Sequence, residues 1–214
     1  MSANTSHAVM AQRVEPQDSL DDFPTPPWAA RALMEHVIGF SLEAPGSAMT
    51  CWEPACNRGF MARPLAEYFG TVIATDVHDY GWAGQQGVED FLFPGAARAC
   101  DFVITNPPFR LAQAFIARAL DVARVGCAVI VRTSFLEGVG RYESLWRRTP
   151  PTVVAQFAER VPMVKGRYDP DASTATSYCW IVWVRGAIQF PVMWVPPCKK
   201  QLKRAGDVQW ESRP

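Results

Sequence analysis

The chain has 214 residues, of which 49% are hydrophobic, and its formal net charge is zero. This length and composition predict one globular domain with a full core and exclude two domains of ordinary size. No apolar run approaches the ~18 residues of a membrane-spanning helix, and the first twenty residues lack the apolar centre of a secretory signal. We therefore expect a cytoplasmic protein without a membrane partner.

The six cysteines are scattered along the chain and never form the closely spaced pairs of a zinc site. They are expected to be reduced thiols of the core, and no metal site is predicted.

Charge is divided unevenly between the two halves of the sequence. Residues 1–109 contain 5 Lys and Arg against 13 Asp and Glu, whereas residues 110–214 contain 16 against 8. A basic half of this kind suggests a face that can meet a polyanion, although charges separated in sequence can also mix in space.

The chain begins with a polar stretch without periodicity, so residues 1–20 are predicted to be a flexible tail. Residues 21–198 are predicted to form the domain, and residues 199–214 a basic tail. The domain opens with a helix over residues 29–38, for which Thr25 is the expected cap and Gly39 the stop.

Apolar and β-branched runs alternate with helical patterns along the rest of the domain. Strands are predicted at residues 49–52, 71–75, 88–92, 102–105, 127–131, 152–157 and 178–184. Helices are predicted at residues 60–69, 111–123 and 142–148. This alternation predicts an α/β fold with a mostly parallel, seven-stranded sheet and one antiparallel strand near its end.

Four polar side chains follow the first four predicted strands, at the point where each strand ends. They are Glu53, Asp76, Asp90 and Asn106. Parallel sheets bind ligands at the carboxyl ends of their strands, so these side chains are expected along one rim. An acid such as Asp76, at the end of the second strand, is suited to binding the two hydroxyls of a ribose, and Asp79 is close enough in sequence to be the alternative.

The fourth predicted strand ends in a double proline, within Asn106-Pro107-Pro108-Phe109. Two prolines fix the backbone and remove two amide donors, so this turn should be stiff and should aim the flanking side chains. An ordinary turn followed by a core phenylalanine is the alternative, and the polar groups on the neighbouring strand ends favour the functional interpretation.

This set of motifs resembles the class I S-adenosylmethionine-dependent amino-methyltransferases, in particular the N6-adenine DNA methyltransferases. Their catalytic motif, Asn/Asp/Ser-Pro-Pro-aromatic after the fourth strand, is similar to residues 106–109. The resemblance implies a three-layer Rossmann-like methyltransferase fold with S-adenosylmethionine as the cofactor and DNA, double- or single-stranded, as the partner. The motif order, with the amino-terminal motif first, is similar to the gamma type.

The resemblance also implies which residues bind the cofactor. These are Phe23, Thr25 and Pro26 of the amino-terminal motif, Glu53, Pro54, Ala55, Cys56, Gly59 and Phe60 of the methyl-donor motif, Asp76 for the ribose, Asp90 and Phe91 for the adenine, and Asn106. Later residues look like those of small phage or prophage enzymes without a separate target-recognition domain, so we expect a bacterial or phage-infected cell as the setting, with restriction-modification as one context.

The catalytic group implied by the resemblance is Asn106, Pro107, Pro108 and Phe109. The Asn106 side-chain oxygen and the Pro107 carbonyl would accept hydrogen bonds from the adenine amine, while the ring of Phe109 stacks on the base. Such a site cannot reach a paired base, so a duplex target must be flipped out. The expected nucleic-acid contacts are Arg110, Arg141, Lys165, Arg167 and Tyr168.

Other functions share parts of this pattern. The acceptor can be adenine N6 in RNA or cytosine N4 in DNA, and the chain can also be a non-catalytic cofactor-binding subunit that binds nucleic acid. The sequence leaves the target site and the oligomeric state open, with a homodimer as one option.

Overall fold

The computed structural model describes residues 21–39 and 48–210. The predicted amino-terminal tail, residues 1–20, and residues 211–214 of the predicted basic tail lie outside the described residues. Within the described ranges, no helix combines the length and apolar character needed to cross a bilayer.

In the described part of the chain, eight strands form one sheet in the order β3-β2-β1-β4-β5-β7-β6-β8. Their bounds are Thr50–Glu53 (β1), Thr71–Asp76 (β2), Gly87–Val88 (β3), Cys100–Thr105 (β4), Ala123–Arg132 (β5), Val153–Phe157 (β6), Tyr178–Val184 (β7) and Met193–Val195 (β8). Only β7 runs antiparallel to its neighbours, β5 and β6, among these described strands. The predicted α/β class with a mostly parallel sheet and one antiparallel strand is confirmed.

Helices cover both faces of this sheet. Their bounds are Pro27–Leu33 (α1), Ala62–Leu65 (α2), Ala112–Val122 (α3), Val139–Arg141 (α4) and Lys199–Leu202 (α5). A π-helical turn, Met34–Ile38, continues α1, a second one, Tyr142–Trp146, continues α4, and 3-10 turns span Thr133–Leu136 and Ala205–Trp210.

The sheet buries apolar side chains on both faces, which gives the domain two cores. Against one face, Trp28 and Leu33 of α1 pack with Phe102 and Trp180. On the opposite face, Phe115 of α3 packs in a cluster with other strand side chains. Helix, sheet and helix therefore form the three layers that the family resemblance implies, and near-continuous apolar strands are typical of such a doubly covered sheet.

Several predicted elements differ in extent. The third strand covers only Gly87–Val88, and the helix predicted over residues 60–69 reduces to Ala62–Leu65 between turns. Thr25 is not the cap of the first helix, because that helix begins at Pro27 with Pro26 at its N-cap and no side-chain cap bond. A proline at the first turn needs no amide partner, so the helix starts without a hydroxyl cap.

The eighth strand was not predicted. Met193–Val195 pairs in parallel with β6, from Ala155 opposite Met193 to Phe157 opposite Val195. Its three residues lie between Pro191 and Pro196 at the edge of the sheet, where the missing amide donors of prolines are tolerated. The seven-stranded prediction is therefore extended by one short edge strand.

The carboxyl-terminal segment packs on the domain through a buried arginine. Arg31 in α1, 1% exposed, donates to both carboxylate oxygens of Asp207, at 2.8 and 2.9 Å, and to Glu67. A buried guanidinium needs such partners because removing a charge from water is costly. Residues 199–210, expected to lie in a tail, are thus held against α1.

Candidate functional site

The parallel register brings the strand ends together. Thr50 to Glu53 pair with Thr71 to Ala74, and Cys51 and Trp52 pair with Phe102 and Val103. The carboxyl ends of β1, β2 and β4 therefore lie side by side, with Glu53, Asp76 and Asn106 at one rim. This is the edge at which open parallel sheets bind ligands.

Glu53 at the end of β1 is a fully buried carboxyl group. Its Oε1 accepts from the Thr105 hydroxyl at 2.5 Å and from the Ala55 amide at 3.1 Å. Its Oε2 is also buried and has no hydrogen-bond partner among the described residues. Burial raises the pKa of Glu53 from 4.5 to about 8, so much of this group is protonated at neutral pH.

The turn after β1 takes backbone conformations that few residues adopt. Asn57 has φ of 49° and Gly59 has φ of 80°. A Cβ atom on Gly59 would come within 2.6 Å of the Trp82 indole, so any other residue there would strain the backbone and displace that ring. The turn is held to β2 by the Cys56 amide, which donates to the Thr75 carbonyl at 2.9 Å.

Asp76 ends β2 beside this turn and is 6% exposed. Its carboxylate accepts from the Asn57 amide at 2.9 Å and from the His78 amide at 3.1 Å. Burial raises the pKa of Asp76 above its ordinary value. A carboxylate offers about four acceptor positions, so two amides leave it able to accept from ligand hydroxyls.

Asn106 follows β4 and is oriented by its amide nitrogen. Nδ2 donates to the Phe23 carbonyl at 3.0 Å, which leaves Oδ1 as the end that points elsewhere. Oδ1 is buried and without a hydrogen-bond partner among the residues described. An unsatisfied buried acceptor is costly, and it marks a position at which a ligand donor would be stabilised.

Phe109 is half-buried, and two side chains contact its ring. The ring of Phe23 lies 5.2 Å away at a tilt of 43°, and the guanidinium of Arg132 lies over the ring at 4.1 Å. Its amide donates to the Asp21 carboxylate at 2.8 Å. The catalytic tetrapeptide predicted from the sequence is therefore tied to the segment that precedes α1.

One cavity collects these groups, and we call it the rim cavity. It is lined by Asp21, Phe23, Pro24, Thr25, Glu53, Ala55, Cys56, Asn57, Phe60, Met61, Asp76, Val77, Tyr80, Asn106 and Pro108. Three buried polar atoms on these residues have no partner within the described structure, namely Thr25 Oγ1, Glu53 Oε2 and Asn106 Oδ1. The cavity measures about 80 Å³, below the roughly 300–1,000 Å³ of most ligand pockets.

Not every residue of the predicted site lines the rim cavity. Those outside its lining are Pro26, Pro54, Gly59, Asp90, Phe91, Pro107 and Phe109. Phe91 is 1% exposed, and its ring packs 5.0 Å from the rings of both Trp52 and Phe115, so it is a core residue. Asp90 is exposed and accepts from the Leu92 amide, which shapes the chain after β3.

Other residues of the rim cavity were missed from the sequence. The lining residues outside the predicted set are Asp21, Pro24, Asn57, Met61, Val77 and Tyr80. The acidic pair Asp21 and Asp22, directly before Phe23, was a signal that could have been used. Asp22 binds the Asn57 side chain at 2.6 Å and forms an ion pair with Arg58 at 3.1 Å.

The predicted nucleic-acid contacts are distributed over several surroundings. Arg110 and Lys165 are exposed, and Arg167 is exposed beside Asp169, at 3.3 Å. Arg141 stacks on Phe135 at 4.4 Å and donates to the carbonyls of its own loop. Tyr168 is 6% exposed with its ring 5.3 Å from Phe60, so burial removes it from the surface available to a nucleic acid.

Cysteine and metal-binding groups add no second site in these ranges. All six cysteines are buried and free, as core thiols. Among the described residues, no three His, Cys, Asp or Glu side chains are grouped as metal ligands.

Comparison with known proteins identifies the fold. The sequence matches no protein-family profile and no curated protein. A candidate RNA methyltransferase from Pyrococcus horikoshii superposes with a TM-score of 0.57 at 14% identity, covering 80% of this chain and 90% of that one. A candidate class I S-adenosylmethionine-dependent methyltransferase from Listeria monocytogenes gives 0.54 at 12% identity, covering 87% of this chain and 71% of that one.

A type I restriction-modification methyltransferase subunit from Streptococcus thermophilus gives a TM-score of 0.60 at 10% identity. That match covers 88% of this chain and 50% of the subunit, so the chain spans about half the length of that protein. The sheet order, the three layers and these neighbours agree, and the chain has the Rossmann-like fold of S-adenosylmethionine-dependent methyltransferases.

Proposed function

We propose that the protein transfers the methyl group of S-adenosylmethionine to the exocyclic N6 amine of adenine in DNA. The observation that carries this proposal is Oδ1 of Asn106, which is buried and has no hydrogen-bond partner among the described residues, and which is held at the rim cavity by the bond from Nδ2 to the Phe23 carbonyl. The stiff Asn106-Pro107-Pro108-Phe109 turn fixes this acceptor, and an amine is a donor that satisfies it.

The rim cavity fits S-adenosylmethionine by chemistry. This molecule carries a sulfonium, an ammonium and a ribose diol, and the cavity offers the carboxyl groups of Asp21, Glu53 and Asp76. Glu53 Oε2 and Thr25 Oγ1 are unpartnered within the described residues and are available to its polar groups. When bound, the cofactor supplies an electrophilic methyl group.

The size of the rim cavity requires a wall to move when the cofactor binds. Within residues 21–25, Asp21 and Asp22 are held by polar contacts, to the Phe109 amide and to Arg58, whereas Phe23 packs on Phe109 and against the core. Such polar contacts exchange with water at little net cost, about 0.5–1.5 kcal/mol each. We therefore place the opening at the Asp21 and Asp22 side chains, with Phe23 and the strand ends as the fixed part.

On the acceptor side, the residues of the turn hold and activate the amine. The lone pair of an adenine amine is delocalised into the ring, and hydrogen bonds to Asn106 Oδ1 and the Pro107 carbonyl favour the pyramidal nitrogen of the transition state. The ring of Phe109, positioned by Phe23 and Arg132, stacks on the base. No strong general base is needed, because the amine proton becomes acidic once the methyl group is attached.

RNA is a second candidate substrate. One structural neighbour with high mutual coverage is a candidate RNA methyltransferase, whose match spans 80% of this chain and 90% of its own. Adenine in a single strand is already unstacked in part, and the same turn would accept its amine.

The proposal is tested by measuring the transfer of labelled methyl groups to duplex DNA, single-stranded DNA and RNA. Asn106→Ala should reduce transfer by about 10²- to 10³-fold, as expected when one transition-state hydrogen bond is removed. Cofactor affinity should change less than about threefold, because the carboxyl groups of the rim cavity remain. Asn106→Asp is the matched control: it keeps an acceptor oxygen and should retain part of the activity.

Undiminished transfer by Asn106→Ala would contradict the role of this turn. Transfer only to RNA would replace the DNA substrate by the second candidate, and transfer to cytosine would change the acceptor base. Cofactor binding without transfer to any nucleic acid would favour a non-catalytic subunit.

A further inference from the structure

A second depression lies at the same rim of the sheet, beyond β5. It is lined by Arg132, Thr133, Ser134, Glu137, Gln156, Thr176, Ser177 and Trp194, and its volume is about 650 Å³. We call it the Arg132–Trp194 cleft. It shares no lining residue with the rim cavity, and none of the roles proposed above uses it as a site.

The cleft forms because the side chains on one face of the sheet become exposed toward the edge strand β8. One row of paired residues crosses the strands β5, β7, β6 and β8. Its members are, in that order, Val131, Cys179, Gln156 and Trp194. Paired residues on neighbouring strands project to the same face. Along this row Val131 is 3% exposed, Cys179 is 0%, and Trp194 is 67%, so the last ring stands in solvent at the cleft.

Arg132 connects the cleft to the catalytic turn. It is the last residue of β5, it lines the cleft, and its guanidinium covers the Phe109 ring at 4.1 Å. The guanidinium also forms a side-chain hydrogen bond with Tyr178, and its remaining in-plane N–H donors match the fork of a phosphate. A nucleotide in the cleft would therefore adjoin the one whose base meets Asn106.

The remaining lining suits a nucleotide as well. Thr133 donates to Gln156 at 2.9 Å, and Gln156 donates to the Phe157 and Tyr178 carbonyls, so this amide is occupied by the protein. Ser134, next along the lining, offers a hydroxyl to phosphate or sugar. Glu137 is exposed and can accept from the amino groups of a base edge.

We propose that the Arg132–Trp194 cleft binds the nucleotide that flanks the target adenine, with its base stacked on the Trp194 indole and its phosphate on Arg132. This deepens the proposed function and rests on it for the identity of the neighbouring base. An unpaired strand fits this geometry, because stacking on an aromatic platform needs a base that is free of its duplex partner.

The test measures binding of adenine-containing oligonucleotides to the full chain by fluorescence anisotropy over a range of salt. Single-stranded DNA, RNA and duplex DNA form the three arms. Trp194→Ala should weaken binding of the single strands by about 10-fold, the loss expected for one base stack. Arg132→Gln should make the slope of log affinity against log salt shallower by about 0.7, the loss of one phosphate contact on a single strand.

Matched variants lie outside the cleft. Phe93→Ala removes another aromatic ring that is 63% exposed, and Arg124→Gln removes an arginine 64% exposed at the opposite end of β5. Both should bind and respond to salt as the unaltered protein does. A single abasic nucleotide beside the target adenine should weaken binding by the unaltered protein but have no further effect on Trp194→Ala.

Unchanged affinity in both Trp194→Ala and Arg132→Gln would overturn the proposal, as would a failure of the unaltered protein to bind any of the three oligonucleotides. Binding with the expected losses but without methyl transfer would support the cleft and contradict the proposed function, so the two fail separately.

Discussion

The rim cavity and the Arg132–Trp194 cleft lie on the same edge of one sheet but are built in opposite ways. The rim cavity is narrow, carries the carboxyl groups of Asp21, Glu53 and Asp76, and contains buried acceptors that lack a partner within the described residues. The cleft is wide, includes one arginine and presents an exposed tryptophan. A narrow cavity with several carboxyl groups suits a cationic small molecule, whereas an open cleft suits a flexible polyanion.

A substitution of Glu53 is expected to give the largest difference between cofactor affinity, which depends on the rim cavity, and oligonucleotide affinity, which depends on the cleft. Glu53→Gln keeps the shape of the side chain but removes its ability to ionise when a cationic cofactor binds. Hydrogen bonds to charged groups contribute about 1.5–3 kcal/mol, so cofactor affinity should fall by about 10- to 100-fold. Calorimetric titration with S-adenosylmethionine measures this, and oligonucleotide affinity should stay the same.

The same residue gives the rim cavity a pH dependence. Because burial raises the pKa of Glu53 to about 8, its carboxyl group ionises in the unfolded chain before it does so in the folded one. The folded state therefore loses stability as pH rises from the ordinary pKa toward 8, and a bound cation offsets that loss by favouring ionisation.

Cofactor affinity should accordingly increase with pH up to about 8 and then level off, with proton release at pH 7. Glu53→Gln should abolish both the slope and the proton release. A pH-independent affinity in the unaltered protein would show that Glu53 does not interact with the cofactor's charge.

A smaller effect is expected from the turn that closes the rim cavity. Gly59→Ala introduces a Cβ at φ of 80° and 2.6 Å from Trp82, so both backbone and ring must shift. Left-handed strain costs about 1–2 kcal/mol, and displacing the indole adds to it. Thermal unfolding should show this loss of stability together with weaker cofactor binding.

Gly81→Ala provides the matched control for the turn. Gly81 has φ of 70°, and a Cβ atom added there would meet no other atom within 4 Å, so this variant carries the backbone strain without the clash. Equal losses in the two variants would mean that the contact with Trp82 does not constrain the turn.

The smallest effect on cofactor affinity and methyl transfer is expected at the contact between Asp21 of the rim cavity and Phe109 of the catalytic turn. Asp21→Asn weakens the bond from the Phe109 amide to the Asp21 carboxylate, 2.8 Å long, and removes one charge from the rim cavity. The loss of about 0.5–1.5 kcal/mol should lower cofactor affinity and transfer by a few-fold each. An unchanged rate of transfer with weaker cofactor binding would confine Asp21 to the rim cavity.

Much of the fold was predictable because its strands are buried on both faces. Continuous apolar runs such as residues 127–131 mark strands whatever their neighbours are. Short edge strands lack this signal: Met193–Val195 has three residues between prolines, and its pairing with β6 depends on tertiary contacts. The short length of α2 was also not predictable, because hydrophobic periodicity does not show where turns replace the hydrogen bonds of a helix.

The rim of the candidate site was predictable from strand ends, because register and topology place Glu53, Asp76 and Asn106 together. The surroundings of an aromatic ring were not. Phe91 and Tyr168 follow polar or glycine-containing stretches that suggest exposure, yet each inserts into the interior against other rings. Asp21 was missed because its role arises from a contact 88 residues away, with Phe109.

The ion pair between Arg31 and Asp207 bears on the order of the structural elements along the chain. It joins residues 176 positions apart in sequence, so the first helix and the last described turn meet in space. A circularly permuted chain, with these regions linked and a new opening in the exposed segment after β7, would preserve every strand pairing around both sites. The order in which the motifs follow one another is thus set by where the chain is opened, and the architecture itself would accommodate another order.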